Sequence, residues 1–143
     1  TYEDSKYSHA CVMRRVLEYS PIVQVGIRSL CEEEHRFLVQ NQMQPFFSEG
    51  LPLDIDGIVS ALSTDVYVTI DLDVLDPSIM SAVGTPQPGG INWYETLKIL
   101  RRVAETRCIV GCDLVELCPA NGPPSCAFLA AKLAYKLIGY VAL

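Results

Sequence analysis

A hydrophobic strand that runs directly into an aspartate pair is the feature that most limits how this chain can fold. Residues 66–70, VYVTI, are apolar and β-branched, which indicates a buried strand, and Asp71 and Asp73 follow immediately. A second run of this kind, residues 108–112, leads to Glu116. Because ligands bind beyond the carboxyl ends of strands in an open parallel sheet, these carboxylates are candidate site residues.

Helical segments separate the predicted strands along the whole chain. Alternation of strands and helices predicts βαβ crossovers, and therefore an α/β fold with three layers, α/β/α, around a mostly parallel sheet. We predict further strands at residues 22–27 and 44–47, and helices at 9–18, 30–38 (capped by Ser29), 54–62, 92–102 and from Ser125 onward.

Composition limits the kinds of partner that the chain can have. The chain has 143 residues, half of them hydrophobic, which suits one globular domain. A net charge of -6 argues against a nucleic-acid surface and favours a small cationic partner. The polar N-terminus has no apolar core of a secretory signal. Lys132 and Lys136 lie within the apolar run 126–143, so a packed helix is expected there and not a membrane span.

Six cysteines are present, without a CxxC pair or a zinc-knuckle spacing. We therefore predict reduced, mostly buried thiols of a cytoplasmic protein. Packing is the expected role of these side chains, because no feature of their flanking sequence indicates a nucleophile.

The aspartate pair has a spacing that suits a hard divalent cation. In a continuing extended backbone, Asp71 and Asp73 would project to the same side, about 6–7 Å apart along the chain. Carboxylate oxygens at such a spacing favour Mn²⁺ or Mg²⁺. Asp76, which precedes Pro77, fits a turn as well as a metal contact. A bare Asp-x-Asp pair is also typical of phosphatases of the haloacid-dehalogenase kind and of solvated loops.

Longer motifs around these residues are more specific. Residues 70–77, IDLDVLDP, followed by GTPQPGG at 84–90, resemble the second metal signature of the ureohydrolase family, which includes arginases and agmatinases. Residues 7–11, YSHAC, and 111–119, GCDLVELCP, match in the same order, and VGIRS at 25–29 is similar to the agmatinase version. The resemblance extends over residues 1–143 and implies the C-terminal portion of a single ureohydrolase catalytic domain, with a partial arginase-like fold.

The resemblance implies a role for each matching residue. Asp71 matches the carboxylate that bridges two Mn²⁺ ions, and Asp73 matches one that chelates a single ion. Glu116 matches the acidic residue that receives the substrate guanidinium, and His9 matches the histidine that handles protons near the leaving amine. Thr85 would line the pocket or hold its shape.

The implied reaction is hydrolysis of a guanidino compound, namely agmatine to putrescine and urea, by a hydroxide that two Mn²⁺ ions activate. The family's other four metal ligands lie in Gly-Gly-Asp-His and Asp-Ala-His-x-Asp stretches, which do not occur here. We therefore predict that residues 1–143 alone are inactive. The resemblance also implies a trimer or hexamer. The net charge and the lysines in the apolar run predict no nucleic-acid or membrane partner.

Two other functions fit part of the pattern. A non-catalytic metal-binding or structural subunit of the same fold would keep the aspartates without turnover. A phosphatase of the haloacid-dehalogenase kind would use Asp71 as its nucleophile, but gives no account of the segment 84–90.

Overall fold

The computed structural model describes residues 1–49 and 52–142. Short 3-10 turns occur at His9–Cys11, Leu72–Val74 and Pro119–Asn121. The helices are α1 (Val12–Val16), α2 (Glu32–Gln40), α3 (Ile55–Ala61), α4 (Trp93–Thr106) and α5 (Pro124–Val141), and the strands are β1 (Val25–Ile27), β2 (Phe46–Phe47), β3 (Asp65–Asp71) and β4 (Cys108–Val115).

Side-chain caps determine where several helices begin. Asn92 and Glu95 form a capping box at the start of α4, and Asp54 accepts a hydrogen bond from the Gly57 N–H at the start of α3. The predicted cap of α2 at Ser29 is wrong. Cys31 caps this helix with Glu34, because the Cys31 sulfur accepts from the Glu34 N–H and the Glu34 carboxylate accepts from the Cys31 N–H. The last helix begins at Pro124, one residue before the predicted Ser125.

All strand pairs in the described sheets are parallel, which confirms the predicted α/β class. The strands form two separate pairs, β1 with β2 and β3 with β4. An isolated parallel bridge also joins Leu75 to Ile91. The β3–β4 pair is longer and brings the ends of its two strands side by side, with Asp71 opposite Val115.

The core lies between one face of β3 and β4 and the helices α4 and α5. Its buried side chains include Ile70 of β3, Leu100 of α4 and Leu133 of α5. Met80 and Ala82, in the segment after the aspartates, are fully buried. Ile70 precedes and Met80 follows the loop that carries the candidate site, so this loop is anchored in the core at both of its ends.

The other face of the β3–β4 pair, here called the open face, carries a polar network. Asp113 accepts hydrogen bonds from the Tyr67 hydroxyl at 2.9 Å and from the Thr69 hydroxyl at 2.6 Å. The bond to Asp113 raises the pKa of Tyr67 above its ordinary value. Gly111 lies opposite Tyr67, and a Cβ there would be 2.8 Å from the tyrosine ring, so the ring covers this glycine.

Helix α5 packs on the core through Cys126, Ala130, Leu133 and Leu137. Residue Leu143, at the end of the apolar run, lies outside the described residues. Within the part of the chain that is described, no helix combines the length and the apolar character needed to cross a membrane. The predicted packed helix is confirmed over residues 124–141.

The six cysteines are free thiols, as predicted, but the prediction that most are buried is wrong. Only Cys11 and Cys126 are buried, whereas Cys31, Cys108 and Cys112 are exposed. The last two belong to β4, whose apolar sequence suggested burial on both faces. Only one face of this strand pair is covered by α4 and α5, so apolar character alone did not predict which thiols are accessible.

Gly90 is required by close backbone packing beside the candidate site. A Cβ at this position would lie 2.4 Å from the Asp76 nitrogen and 2.5 Å from the Leu75 carbonyl carbon. Gly90→Ala is therefore expected to lower the free energy of unfolding by about 1–3 kcal/mol, as overpacking does. Gly84→Ala is the matched control, because nothing lies within 4 Å of its Cβ. Urea unfolding of both variants would contradict the packing argument if they lost equal stability.

Candidate metal and substrate site

A tight turn brings Asp71 and Asp73 together. The Asp71 carboxylate accepts a hydrogen bond from the Asp73 N–H at 3.0 Å and so caps the 3-10 turn Leu72–Val74. The extended backbone expected between the two aspartates is therefore wrong. The two aspartates are brought together by the Asp71 side chain, which caps the turn at the end of β3. The alternation of side chains along an extended strand does not bring them together.

The electrostatics of the pair are unfavourable for two ionised carboxylates. Loss of water around its carboxyl group raises the pKa of Asp71 from 3.8 to about 6, although the residue keeps much of its surface exposed. The N–H of Asp73 opposes this shift, while the negative charges of Asp73 and Glu116 add to it. The negative charges of Asp73 and Glu116 therefore both disfavour ionisation of Asp71, which is a favourable setting for a cation.

Thr85, which was predicted to line the pocket or hold its shape, contacts Asp73. Its hydroxyl donates to the Asp73 carboxylate at 3.3 Å. Asp76 is different, because its carboxylate accepts from the Ser78 N–H and the Gly89 N–H, both at 3.0 Å. Hydrogen bonds from the side chain and the N–H of Ser78, and from the Gly89 N–H, lower the pKa of Asp76 below its ordinary value. Its contacts are therefore those of a residue that stabilises a turn.

Glu116 follows β4 directly and has a left-handed backbone, with a φ of 67°. This conformation is costly for a residue with a Cβ, and such strain is often found at functional sites. The conformation turns the chain at the strand end, where the Glu116 charge reaches Asp71. Sequence reasoning singled out Glu116 but could not foresee its backbone conformation.

His9 is the one predicted site residue whose contacts all lie in the N-terminal segment. Its ring lies 5.9 Å from the Tyr2 ring, centroid to centroid, and 3.5 Å separate its Nδ1 from the Ser8 hydroxyl. A shallow apolar groove of about 310 Å³ lies beside it, lined by Tyr7, Ser8, Val12, Arg15, Val16 and Tyr19. Among the described residues, no contact joins His9 to the aspartates.

Arg28 is a residue of this site to which sequence reasoning gave no role. Its guanidinium donates to the main-chain carbonyls of Asp73, Val74 and Gln87. These partners lie 45 to 59 residues away along the chain. Two sequence signals pointed to it, its position directly after β1 and the likeness of residues 25–29 to agmatinases.

Comparison with known proteins identifies the family of this chain. The model of the arginase family matches residues 1–139. The chain belongs to the arginase family. N(1)-aminopropylagmatine ureohydrolase of Synechocystis is 43% identical over 97% of the chain and 47% of its own length. Agmatinase of Pyrococcus horikoshii is 34% identical over 97% of the chain and 50% of its own length.

A solved structure of this family superposes on the whole fold. Agmatine ureohydrolase of Thermoplasma volcanium gives a TM-score of 0.85 at 31% identity, with 99% of this chain and 50% of that chain covered. The chain thus spans about half the length of the curated relatives it matches. The arginase-like fold predicted from the motifs is confirmed.

Arginase-family enzymes hold a pair of metal ions, and the donors found here fit part of such a centre. Asp71 and Asp73 offer hard oxygen ligands whose mutual repulsion a divalent cation would relieve. Within residues 1–49 and 52–142, however, no cluster of three or more His, Cys, Asp or Glu side chains is arranged to hold a metal. The fit is that of a partial site that needs further ligands.

Proposed function

We propose that residues 1–143 form the C-terminal portion of a single ureohydrolase catalytic domain, and that the longer protein hydrolyses a guanidino compound to urea and an amine. The observation that carries this proposal is the gathering of Asp71, Asp73 and Glu116 where β3 and β4 end, in a chain of the arginase family. The remaining metal ligands would come from outside these residues.

Agmatine is the proposed substrate, with putrescine and urea as products. The likeness of residues 25–29 to agmatinases and the 34% identity with the Pyrococcus agmatinase support it. N(1)-aminopropylagmatine is a second candidate, because the Synechocystis ureohydrolase named for it is 43% identical. Both compounds present a guanidinium cation, which the acidic cluster and the net charge of -6 suit.

The protein's own side chains account for binding and proton transfer. Asp71 and Asp73 would hold two Mn²⁺ ions, which supply an activated hydroxide when bound. Glu116 would pair with the planar guanidinium and place its carbon for attack, so that the attack becomes effectively unimolecular. His9 would deliver a proton to the departing nitrogen, which leaves as the amine. Thr85 would keep the Asp73 carboxylate in position through its hydroxyl.

The proposal includes a homo-oligomer, a trimer or a hexamer, as the family resemblance implies. It also requires that residues 1–143 alone release no urea, because two aspartates are too few ligands for a stable pair of ions. The competing function is a metal-binding or structural subunit without turnover.

The decisive experiment uses the longer protein loaded with Mn²⁺ and measures urea release from agmatine and from N(1)-aminopropylagmatine. We expect urea from at least one of them. The compound with the larger kcat/KM is the one whose amine portion the enzyme prefers. Metal binding without urea from either would favour the non-catalytic subunit. Hydrolysis of a phosphate monoester in place of both would favour the phosphatase. Residues 1–143 assayed in parallel should give only the background rate.

A further inference from the structure

We propose that Arg28 is a positioning residue, which fixes the loop that carries Asp73 against the loop that carries Thr85. This inference rests on the proposed function, because it assigns Arg28 to the metal site proposed there. The two loops, residues 72–76 and 84–90, are here called the metal loop and the glycine loop.

The guanidinium of Arg28 bonds to both loops at once. Its Nη2 donates to the Asp73 carbonyl of the metal loop, and its Nη1 donates to the Val74 carbonyl at 3.5 Å. Its Nε and Nη2 donate to the Gln87 carbonyl of the glycine loop at 3.3 and 3.0 Å. The neighbouring Ser29 hydroxyl adds a bond of 2.7 Å to the Gln87 side chain. Arg28 therefore adds a link of its own between the two loops, beside the direct bonds of Thr85 to Asp73 and of Gly89 to Asp76.

An arginine is suited to this task in a way that other cations are not. Its planar fork offers five donors in fixed directions, whereas a lysine ammonium is a single compact point of charge. No salt bridge in the described part of the chain includes Arg28. Its donors are thus directed to main-chain carbonyls.

Apolar contact at the end of β1 supports the same alignment. Gly26 has a φ of 83°, and a Cβ there would lie 2.3 Å from Cγ2 of Val74. Val74 therefore packs directly on the backbone of β1, two residues before Arg28. The metal loop is held from one side by this contact and by the guanidinium.

Arg107 provides a matched control within the same chain. It is also half-buried, and it also donates to three main-chain carbonyls, those of Val59, Leu62 and Thr106. It lies just before β4, at the amino end of the strand, whereas the candidate site is at the carboxyl end. Substitution of Arg107 therefore removes a comparable set of bonds to carbonyls without disturbing the candidate site.

The test compares Arg28→Met, Arg28→Lys and Arg107→Met in the longer protein. Isothermal titration with Mn²⁺ gives the Kd, and thermal unfolding of the metal-free forms gives Tm. We expect Arg28→Met to weaken Mn²⁺ binding about 10- to 100-fold, as loss of a group that orients a ligand does. Arg28→Lys should recover part of this loss, and Arg107→Met should lower Tm while leaving the Kd unchanged.

Hydrogen exchange of the metal-free proteins separates this inference from the proposed function. The main-chain N–H groups of Asp76, Gly89 and Ile91 bond between the metal loop and residues 89–91, and should exchange faster in Arg28→Met only. If the wild-type protein bound no Mn²⁺, the proposed function would fail while hydrogen exchange still tested Arg28. A wild-type Kd and unchanged exchange in Arg28→Met would overturn the inference. If Arg28→Met did not fold, the same two measurements on Arg28→Lys would decide, with wild-type values again overturning it.

Discussion

Asp71→Asn in the longer protein is expected to abolish Mn²⁺-dependent urea release while making the metal-free protein more stable. An amide is a weaker metal ligand than a carboxylate, and Asp71 is one of the two aspartates proposed to hold the Mn²⁺ ions. Loss of a group that only orients a metal ligand costs about 10- to 100-fold in metal affinity. We therefore expect loss of the ligand itself to cost at least about 100-fold. Titration with Mn²⁺ and a urea assay measure both effects.

The gain in stability follows from the sign of the pKa shift. The pKa of Asp71 is raised from 3.8 to about 6 in the folded state, so the folded protein binds more protons than the unfolded chain between these values. Stability therefore falls as pH rises from about 4 through 6, and the full penalty is present at pH 7. Asparagine has no such penalty. Because water screens a carboxyl that remains partly exposed, we expect a gain on the order of 1 kcal/mol.

Asp65→Asn is the control for this prediction, because Asp65 begins the same strand at the opposite end. It should leave Mn²⁺ binding unchanged. The prediction would be contradicted if the stability difference between Asp71→Asn and wild type were the same at pH 4 and pH 7. Measurements must be made with a chelator present, so that metal binding does not stabilise the wild type.

Two substitutions of Glu116 are expected to separate the effect of its charge on catalysis from the effect of its backbone strain on stability. Glu116→Gln keeps the size and the left-handed backbone but removes the charge that pairs with guanidinium, so kcat/KM should fall by about 100- to 1000-fold, as for loss of one preorganised electrostatic contact. Glu116→Gly should lose at least as much activity. Because glycine adopts a positive φ without a clash, it should also raise the free energy of unfolding by about 1 kcal/mol.

Gln42→Gly makes the comparison specific, since Gln42 also has a positive φ, of 53°, and has no role in the site. It should gain similar stability and keep full activity. Equal kcat/KM in Glu116→Gln and wild type would remove Glu116 from substrate binding. A lower stability of Glu116→Gly would instead show that its side chain supports the fold.

The sequence allowed prediction of the features that depend on local pattern. The apolar segment before Asp71 predicted β3, and Asn92 predicted the start of α4. Longer motifs led to the family, which the comparisons confirm. In each case the signal lies within a few neighbouring residues, where periodicity and capping chemistry apply.

Features that depend on tertiary contacts could not be predicted in this way. Ser29 was expected to cap α2, but its hydroxyl donates to the Gln87 side chain instead. Arg28 bonds to carbonyls far along the chain, and no side-chain type identifies a carbonyl partner in a sequence. The roles of Asp71, Asp73, Thr85, Glu116 and His9 remain predictions until the variants are measured.

The network around Asp113 on the open face restricts what can cover that face. Its two oxygens each accept a single bond, from Tyr67 and Thr69, although an ionised carboxylate has room for about four. A purely hydrocarbon layer would strip water from the remaining lone pairs and leave a charge without compensation, at a cost of several kcal/mol. A layer that brings an N–H, an O–H or a cation to Asp113 therefore covers this face at a lower cost than hydrocarbon alone.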